Sequence, residues 1–284
     1  MKRKRLLTAA LCLLAALAFT HAASAQATAQ SGDAERERAK ALWEEAVRAK
    51  GGRERLRSIK SLLITSTIYE RAPVNSNTKD AVRLYAMPGR AWVYTRTPEF
   101  HVSLDATVLN TGRKLCTVTL APAGSGVPSL SPCLAETWTQ YLIQDPFIYL
   151  LETEWVRPVP LRARAEGKLD VVETEVGNLR VDFYLHRKTR LPVRIVTEWL
   201  GGIGRGTGSL GPMEVLLEDY ADVEGVRMPR RVTRRLLNSE RLSVGDPLSG
   251  DEERARYRFN VAYDPAVFER PVPKDVKPDD WSPR

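Results

Sequence analysis

Three groups of residues in this chain have types that could do chemistry, and their spacing decides what each can do. Gly206-Thr207-Gly208-Ser209-Leu210-Gly211 spells a dinucleotide-binding fingerprint. That chemistry needs a strand before the glycines and a helix N-terminus after them, so that backbone N–H groups meet a pyrophosphate. Pro212-Met213-Glu214-Val215-Leu216-Leu217 follows instead and reads as a strand, which makes residues 201–211 a loop between two strands. His21 lies in an apolar leader, so His101 and His186 are the histidines left for catalysis or ligation. No His-Glu-x-x-His helix and no Cys-x-x-Cys pair accompanies them, so no metal site and no cofactor are expected. His186, beside Arg187 and Lys188, reads as a solvated turn residue. The Asp251-Glu252-Glu253 run reads as a solvated charge cluster in a polar loop, and no Gly-x-Ser-x-Gly elbow occurs. No catalytic residue is assigned, and the chain does not read as an enzyme.

The elements around these residues begin with the leader. Met1-Lys2-Arg3-Lys4-Arg5 is a basic stretch, Leu6 to Phe19 carries no charge, and Ala23-Ser24-Ala25 supplies the small residues of a cleavage site. Residues 1–25 therefore read as a signal peptide cut after Ala25, since a run of about 14 residues falls short of the roughly 20 that a membrane span needs. Loss of four basic residues lowers the formal charge from +8 to +4, which excludes a nucleic-acid protein. Cys116 and Cys133 remain in the mature chain and read as one disulfide in an oxidising compartment, with two unrelated buried thiols as the alternative.

After a flexible leader over 26–33, Asp33 is placed to cap a helix whose Ala39, Leu42, Trp43, Ala46 and Val47 share one face. Gly51-Gly52 ends it, and a short turn of helix over Arg53 to Leu56 leads to Ile59. The period then changes to 2. Ser61 to Tyr69, Ala81 to Ala86, Arg90 to Tyr94 and Lys114 to Leu120 read as strands. Leu179, Val181, Phe183 and Leu185 alternate with Arg180, Asp182, Tyr184 and His186. Val193, Ile195, Thr197 and Trp199 form a second alternating set, and Tyr257, Phe259, Val261 and Tyr263 a third. Such alternation predicts an antiparallel sheet with one face covered and one wet. Leu134 to Tyr141 and Ile143 to Glu152 read as two short helices broken at Asp145-Pro146, with Pro146 to Leu151 apolar almost all round.

The fold class expected is mainly β with α. It is a strongly curved antiparallel sheet, an unclosed half-barrel, with the N-terminal helix and the mid-chain helices on its concave face. One domain is expected over 34–270, followed by a Pro-rich tail over 271–284. A half-barrel encloses either a packed core or an apolar ligand. Trp92, Tyr94, Phe147, Leu150, Leu151 and Trp199 are then either core residues or the rigid walls of a site for an acyl chain.

The chain resembles the lipoprotein-localisation-factor superfamily, the LolA/LolB-like periplasmic proteins. The likeness is carried by the N-terminal helix with its Gly51-Gly52 break, by Asp145-Pro146-Phe147-Ile148-Tyr149-Leu150-Leu151, by Tyr220 to Pro229, and by Phe268-Glu269-Arg270-Pro271. One departure is visible. Where the characterised carriers place a basic residue just before the proline of an early strand, this chain has Met87 before Pro88, and Arg83 and Arg90 lie several residues away. The resemblance implies a periplasmic, monomeric carrier or binding protein for lipids or acylated lipoproteins, with peripheral membrane contact. The same fold serving as an envelope sensor with a protein partner is the alternative, and an exported hydrolase is the third reading.

Overall fold

The first described helix stops at a pair of glycines, Gly51-Gly52. In the computed structural model, which describes residues 32–71, 76–87, 90–96, 104–110, 118–119, 129–130, 151, 158–176, 179–199, 212–237 and 250–268, helix α1 occupies 32–50. It includes Gly32, so Asp33 lies in its first turn rather than at the cap, where a carboxylate still suits the positive end of the helix dipole. Ala39, Leu42, Trp43, Ala46 and Val47 are all buried, as their spacing predicts. Gly52 N–H donates to the Val47 carbonyl at 3.0 Å and Gly51 N–H to the Arg48 carbonyl at 3.1 Å, closing the last turn. Gly51 has φ 133°, and a Cβ there would run into the Gly225 carbonyl oxygen. Helix α2 (Arg53–Arg57) follows at once.

Thirteen strands are described: β1 (Ser61–Arg71), β2 (Ser76–Ala86), β3 (Arg90–Arg96), β4 (Leu104–Asn110), β5 (Val118–Thr119), β6 (Ser129–Leu130), β7 (Val159–Glu166), β8 (Leu169–Val176), β9 (Leu179–His186), β10 (Pro192–Trp199), β11 (Met213–Val223), β12 (Val226–Leu236) and β13 (Gly250–Phe259). Eleven of them form one sheet in the order β4-β3-β2-β1-β13-β12-β11-β10-β9-β8-β7, every pairing antiparallel. The edges β4 and β7 do not pair with each other, so the sheet is an unclosed half-barrel. The last strand, β13, inserts between β1 and β12 and joins the N-terminal meander to the later one. The hairpin β11–β12 turns on Glu224-Gly225, both at positive φ, with Val223 opposite Val226, and Asp222 accepts from Gly225 N–H at 3.0 Å.

The main apolar cluster lies on the face that α1 covers. Trp43 packs against Phe183 with ring centroids 4.7 Å apart, and Leu62, Ile64, Val215 and Phe259 from other strands share the cluster. Arg190, at the turn after β9, pins α1 to the sheet by pairing with Glu45 at 2.8 Å and with Asp170 at 2.6 Å. A second cluster, with Leu63, Val82, Leu84 and Trp92, sits on the opposite face under Phe268 of a short 3-10 helix (Pro265–Phe268).

Two expectations change. The alternation through Tyr257 and Phe259 does not continue to Val261 and Tyr263. The strand ends at Phe259, Asn260 adopts φ 50°, and Val261 and Tyr263 turn into the second cluster. Asparagine tolerates that left-handed conformation, and its Oδ1 accepts from Lys60 N–H at 2.7 Å. The face away from α1 is also not uniformly wet, because Tyr184, Val171, Val196 and Leu237 form a third buried cluster there. Of the two mid-chain helices, only Leu151 lies within the described residues, where it is helical. Cys116, Cys133, His101, the Gly206–Gly211 loop, the leader and the C-terminal tail lie outside them. The residues after that loop do form strand β11, as expected.

Candidate functional site

The face beneath α1 is built from alternate positions of successive strands, which period 2 sends to one side. On β9 these are Leu179, Val181, Phe183 and Leu185, all buried. Leu151 joins the same cluster and is fully buried. Among the described residues the centre of this face is therefore tightly packed.

Toward the end of the sheet where β1 meets Gly250, the same face carries charge. Arg83 of β2 and Arg234 of β12 each reach the Glu253 carboxylate of β13, both at 2.6 Å. Glu253 has no exposed surface. Burial alone would raise its pKa, but the two guanidinium charges and their hydrogen bonds outweigh that and hold the carboxyl at about 2, below the ordinary 4.5. The Asp251-Glu252-Glu253 run is thus part of strand β13 rather than a polar loop, and Glu253 is not solvated. A signal was present in the sequence: Glu253, Ala255, Tyr257 and Phe259 sit at period 2, so the carboxylate shares a face with three apolar residues.

The opposite face has two regions. Over β7 to β11, arginines and carboxylates are matched. Arg162 pairs with Glu173 at 3.0 Å, Arg164 with Asp182 at 3.3 Å, Arg180 with Glu173 at 3.1 Å, and Arg194 with Glu214 at 2.6 Å. Arg194 and Arg164 also lie over the Tyr184 ring, at 4.4 and 5.6 Å from its centroid. Their stems cover the apolar residues below, which is why this face is drier than alternation alone implies. Back on the α1 side, Tyr220 packs against the main cluster; its hydroxyl donates to the Pro192 carbonyl at 2.6 Å, and burial pushes its pKa well up.

The second region is a groove of about 880 Å³ across β1, β13 and β12. Pairing between β12 and β13 runs only from Arg234 opposite Asp251 to Arg231 opposite Arg254, whereas β1 stays paired with β13 as far as Phe259. The gap opens where β12 leaves. Thr65, Thr67, Arg230, Arg231, Arg254 and Arg256 line it, together with Tyr69 and two carboxylates, Asp80 and Asp219. Sequence reasoning missed this groove, although Arg254 and Arg256 stand at period 2.

The residues expected to wall an apolar site are only partly placed. Leu151 is in the main cluster and Trp92 in the second, so the sheet stands between them. Tyr94 of β3 stands opposite Ala106 of β4, and Trp199 closes β10, but their side chains lie outside the description, as do Phe147 and Leu150. His186 is half-buried at the end of β9, where its Nδ1 lies 3.3 Å from Thr189 Oγ1, in keeping with a turn residue. Among the described residues no group of three or more His, Cys, Asp or Glu side chains could hold a metal ion.

The sequence matches no family model and no curated protein. The structure is similar to that of a LolA superfamily protein from Nitrosomonas europaea, with a TM-score of 0.51 at 12% identity, over 81% of this chain and 96% of that one. A DUF1329 family protein from Desulfovibrio piger gives a TM-score of 0.49 at 10% identity, also over 81% of this chain and 96% of the other. The half-barrel is therefore LolA-like in fold.

Proposed function

We propose that this chain is exported, cut after Ala25, and carries lipids or lipoprotein acyl chains in the cell envelope. One half-barrel domain over 34–270 does this, in the periplasm and as a monomer. The observation that carries the reading is the burial of Leu151 in the main cluster, on the face of an unclosed sheet that α1 also covers. Leu151 is the last residue of the apolar run Pro146 to Leu151 in the sequence, and its own side chain lies on the face that a LolA-like half-barrel offers to an apolar ligand. An acyl chain would compete for the same surface, gaining ~0.8 kcal/mol per buried methylene group. Phe147, Leu150 and Leu151 are the residues assigned to that exchange.

The test is native mass spectrometry of protein purified from envelope extracts without strong detergent, alongside titration with a fluorescent fatty acid. A co-purifying acylated ligand and saturable uptake of the probe are expected, with Leu151→Asp weakening uptake at least tenfold. Repeated ligand-free preparations that also fail to take up the probe would remove this function.

A further inference from the structure

The groove on the other face is independent of the apolar reading above, and its charges come in balanced sets. Four guanidiniums reach it, from Arg230, Arg231, Arg254 and Arg256. Four carboxylates answer them: Asp80 and Asp219 in the lining, and at the flanks Glu218, 3.2 Å from Arg231, and Glu252, 3.2 Å from Arg254. The groove therefore has no net charge to attract an ion, yet it is crowded with groups that only donate and groups that only accept. Two of them stand where the ladder breaks. Pairing of β11 with β12 passes from Glu218 opposite Arg231 to Tyr220 opposite Pro229, and skips Asp219 and Arg230 between them. Asp219 adopts φ 53° there, in the left-handed region and in the middle of a strand. Backbone strain of that kind gathers at ligand sites. Both side chains are exposed, and neither makes an ion pair or a hydrogen bond among the described residues.

The lattice over β7 to β11 is the internal control. Its charges are matched too, but its carboxylates are buried beneath arginine stems and offer a ligand no surface. In the groove, acceptors and donors both face solvent. A phosphate dianion offers chiefly acceptors and would face Asp80 and Asp219, and an amine cation offers only donors and would face the arginines. A hydroxyl group both donates and accepts, so a chain of hydroxyls satisfies carboxylates and guanidiniums in turn without adding charge. Thr65 and Thr67 of β1 add hydroxyls of the same two-way kind, and Thr67 Oγ1 donates to Asp80 at 3.3 Å. Tyr69 lines the same groove with its side chain about a third exposed, and the Arg254 guanidinium lies 5.6 Å from its ring centroid. An aromatic body with a polar tip suits the C–H face of a sugar ring beside its hydroxyls. We infer that the groove between β12 and β13 binds a neutral saccharide, held by Asp219 and Arg230 at the broken ladder, by Asp80 and by the ring of Tyr69. A volume of about 880 Å³ lies within the about 300–1,000 Å³ of small-molecule clefts and exceeds one sugar ring, so the ligand is a short oligosaccharide.

Saturation-transfer NMR on the full mature chain, with maltotriose, mannotriose and triacetylchitotriose as probes, tests the site. Saturable binding of at least one of them, with Kd below about 1 mM, is expected. Its affinity should change less than about twofold between low and high salt, and pyrophosphate should not compete. Asp219→Asn keeps a residue that tolerates the left-handed backbone, and it should weaken binding by about fivefold or more. Tyr69→Ala, at an exposed side chain, should do the same, and Arg230→Gln should cost about threefold. Lys188→Gln, on the turn after β9, should change binding less than about twofold. Flotation with phosphatidylcholine vesicles carrying a digalactosyl lipid, against phosphatidylcholine alone, distinguishes the source. Binding of the soluble sugars with no flotation that depends on Asp219 identifies a free oligosaccharide, and flotation that Asp219→Asn abolishes identifies a glycolipid headgroup. No saturable binding to any sugar probe or glycolipid vesicle, displacement by pyrophosphate, or unchanged affinity in both Asp219→Asn and Tyr69→Ala would overturn the site. None of these results bears on fatty-acid uptake, which reports the other face.

Discussion

The two halves of the sheet distribute charge in opposite ways. In the half built from β7 to β11, the face under α1 is apolar around Phe183, and apart from the Arg190 pairs with Glu45 and Asp170 that fasten α1, the ion pairs form a matched lattice on the other face. In the half built from β2, β1, β13 and β12, an ion triad is buried on the α1 face, while the other face gathers arginines around a groove. The first half follows the usual division between core and surface. The second departs from it on both faces, and departures of that kind mark places where a fold does something besides hold itself together. Both the acid-sensitive triad and the groove fall in this second half.

The comparison breaks most visibly at Glu253. Replacing Glu253 by Gln takes the carboxylate from between Arg83 and Arg234 and leaves two buried cations facing each other. Removing one partner of a buried ion pair costs about 3–5 kcal/mol, and urea unfolding of Glu253→Gln should show a loss near 4 kcal/mol. A loss below about 1 kcal/mol would mean that the triad is open to water. Next in size is Trp43→Ala, which tests the ordinary half. It empties the contact with Phe183 and should cost about 3 kcal/mol in the same measurement. An effect under about 1 kcal/mol would mean that α1 is not docked through that ring.

The triad also predicts a pH dependence with a definite sign. The Glu253 pKa is about 2 in the fold against 4.5 as its ordinary value. Its contribution is therefore fully present above pH 4.5 and is lost as pH falls from 4.5 toward 2, by about 3 kcal/mol at most. The triple variant Arg83→Met/Glu253→Leu/Arg234→Met has no such group. Its stability should fall less than that of the parent across the same window, and it should be no less stable than the parent at pH 7. Parallel acid curves for the two proteins would take the acid response away from the triad.

Much of the ordinary half could be read from the sequence, because period and polarity agree there. The α1 stripe, the Gly51-Gly52 stop and the alternation of β9 each follow from local rules, and each is found. The second half was harder for a physical reason. Glu253 is 170 residues from Arg83, and only the insertion of β13 beside β1 brings them together. No local rule foretells that a carboxylate in an acidic run will meet two arginines from other strands. The same holds for the groove, which exists because β12 stops pairing with β13 at Arg231. Asn260 is a milder case, since a single left-handed residue reversed the faces of the positions after it.

The smallest expected effect lies in the matched lattice, and it sharpens the contrast. Arg180 pairs with Glu173 at 3.1 Å and Asp182 at 3.3 Å, and its side chain is about a third exposed. When Arg180→Gln removes it, Glu173 keeps Arg162 and Asp182 keeps Arg164. Each carboxylate thus retains a cation, and what is lost is a partly solvated pair held against the entropy of a long side chain. Such pairs are worth under about 1 kcal/mol, so unfolding in urea should shift by less than that, and high salt should shrink the difference further. A loss of about 3 kcal/mol, comparable to the one at Glu253, would show that the lattice acts as one cooperative unit. The two halves would then handle charge alike, and the contrast between a redundant network and an irreplaceable triad would fall.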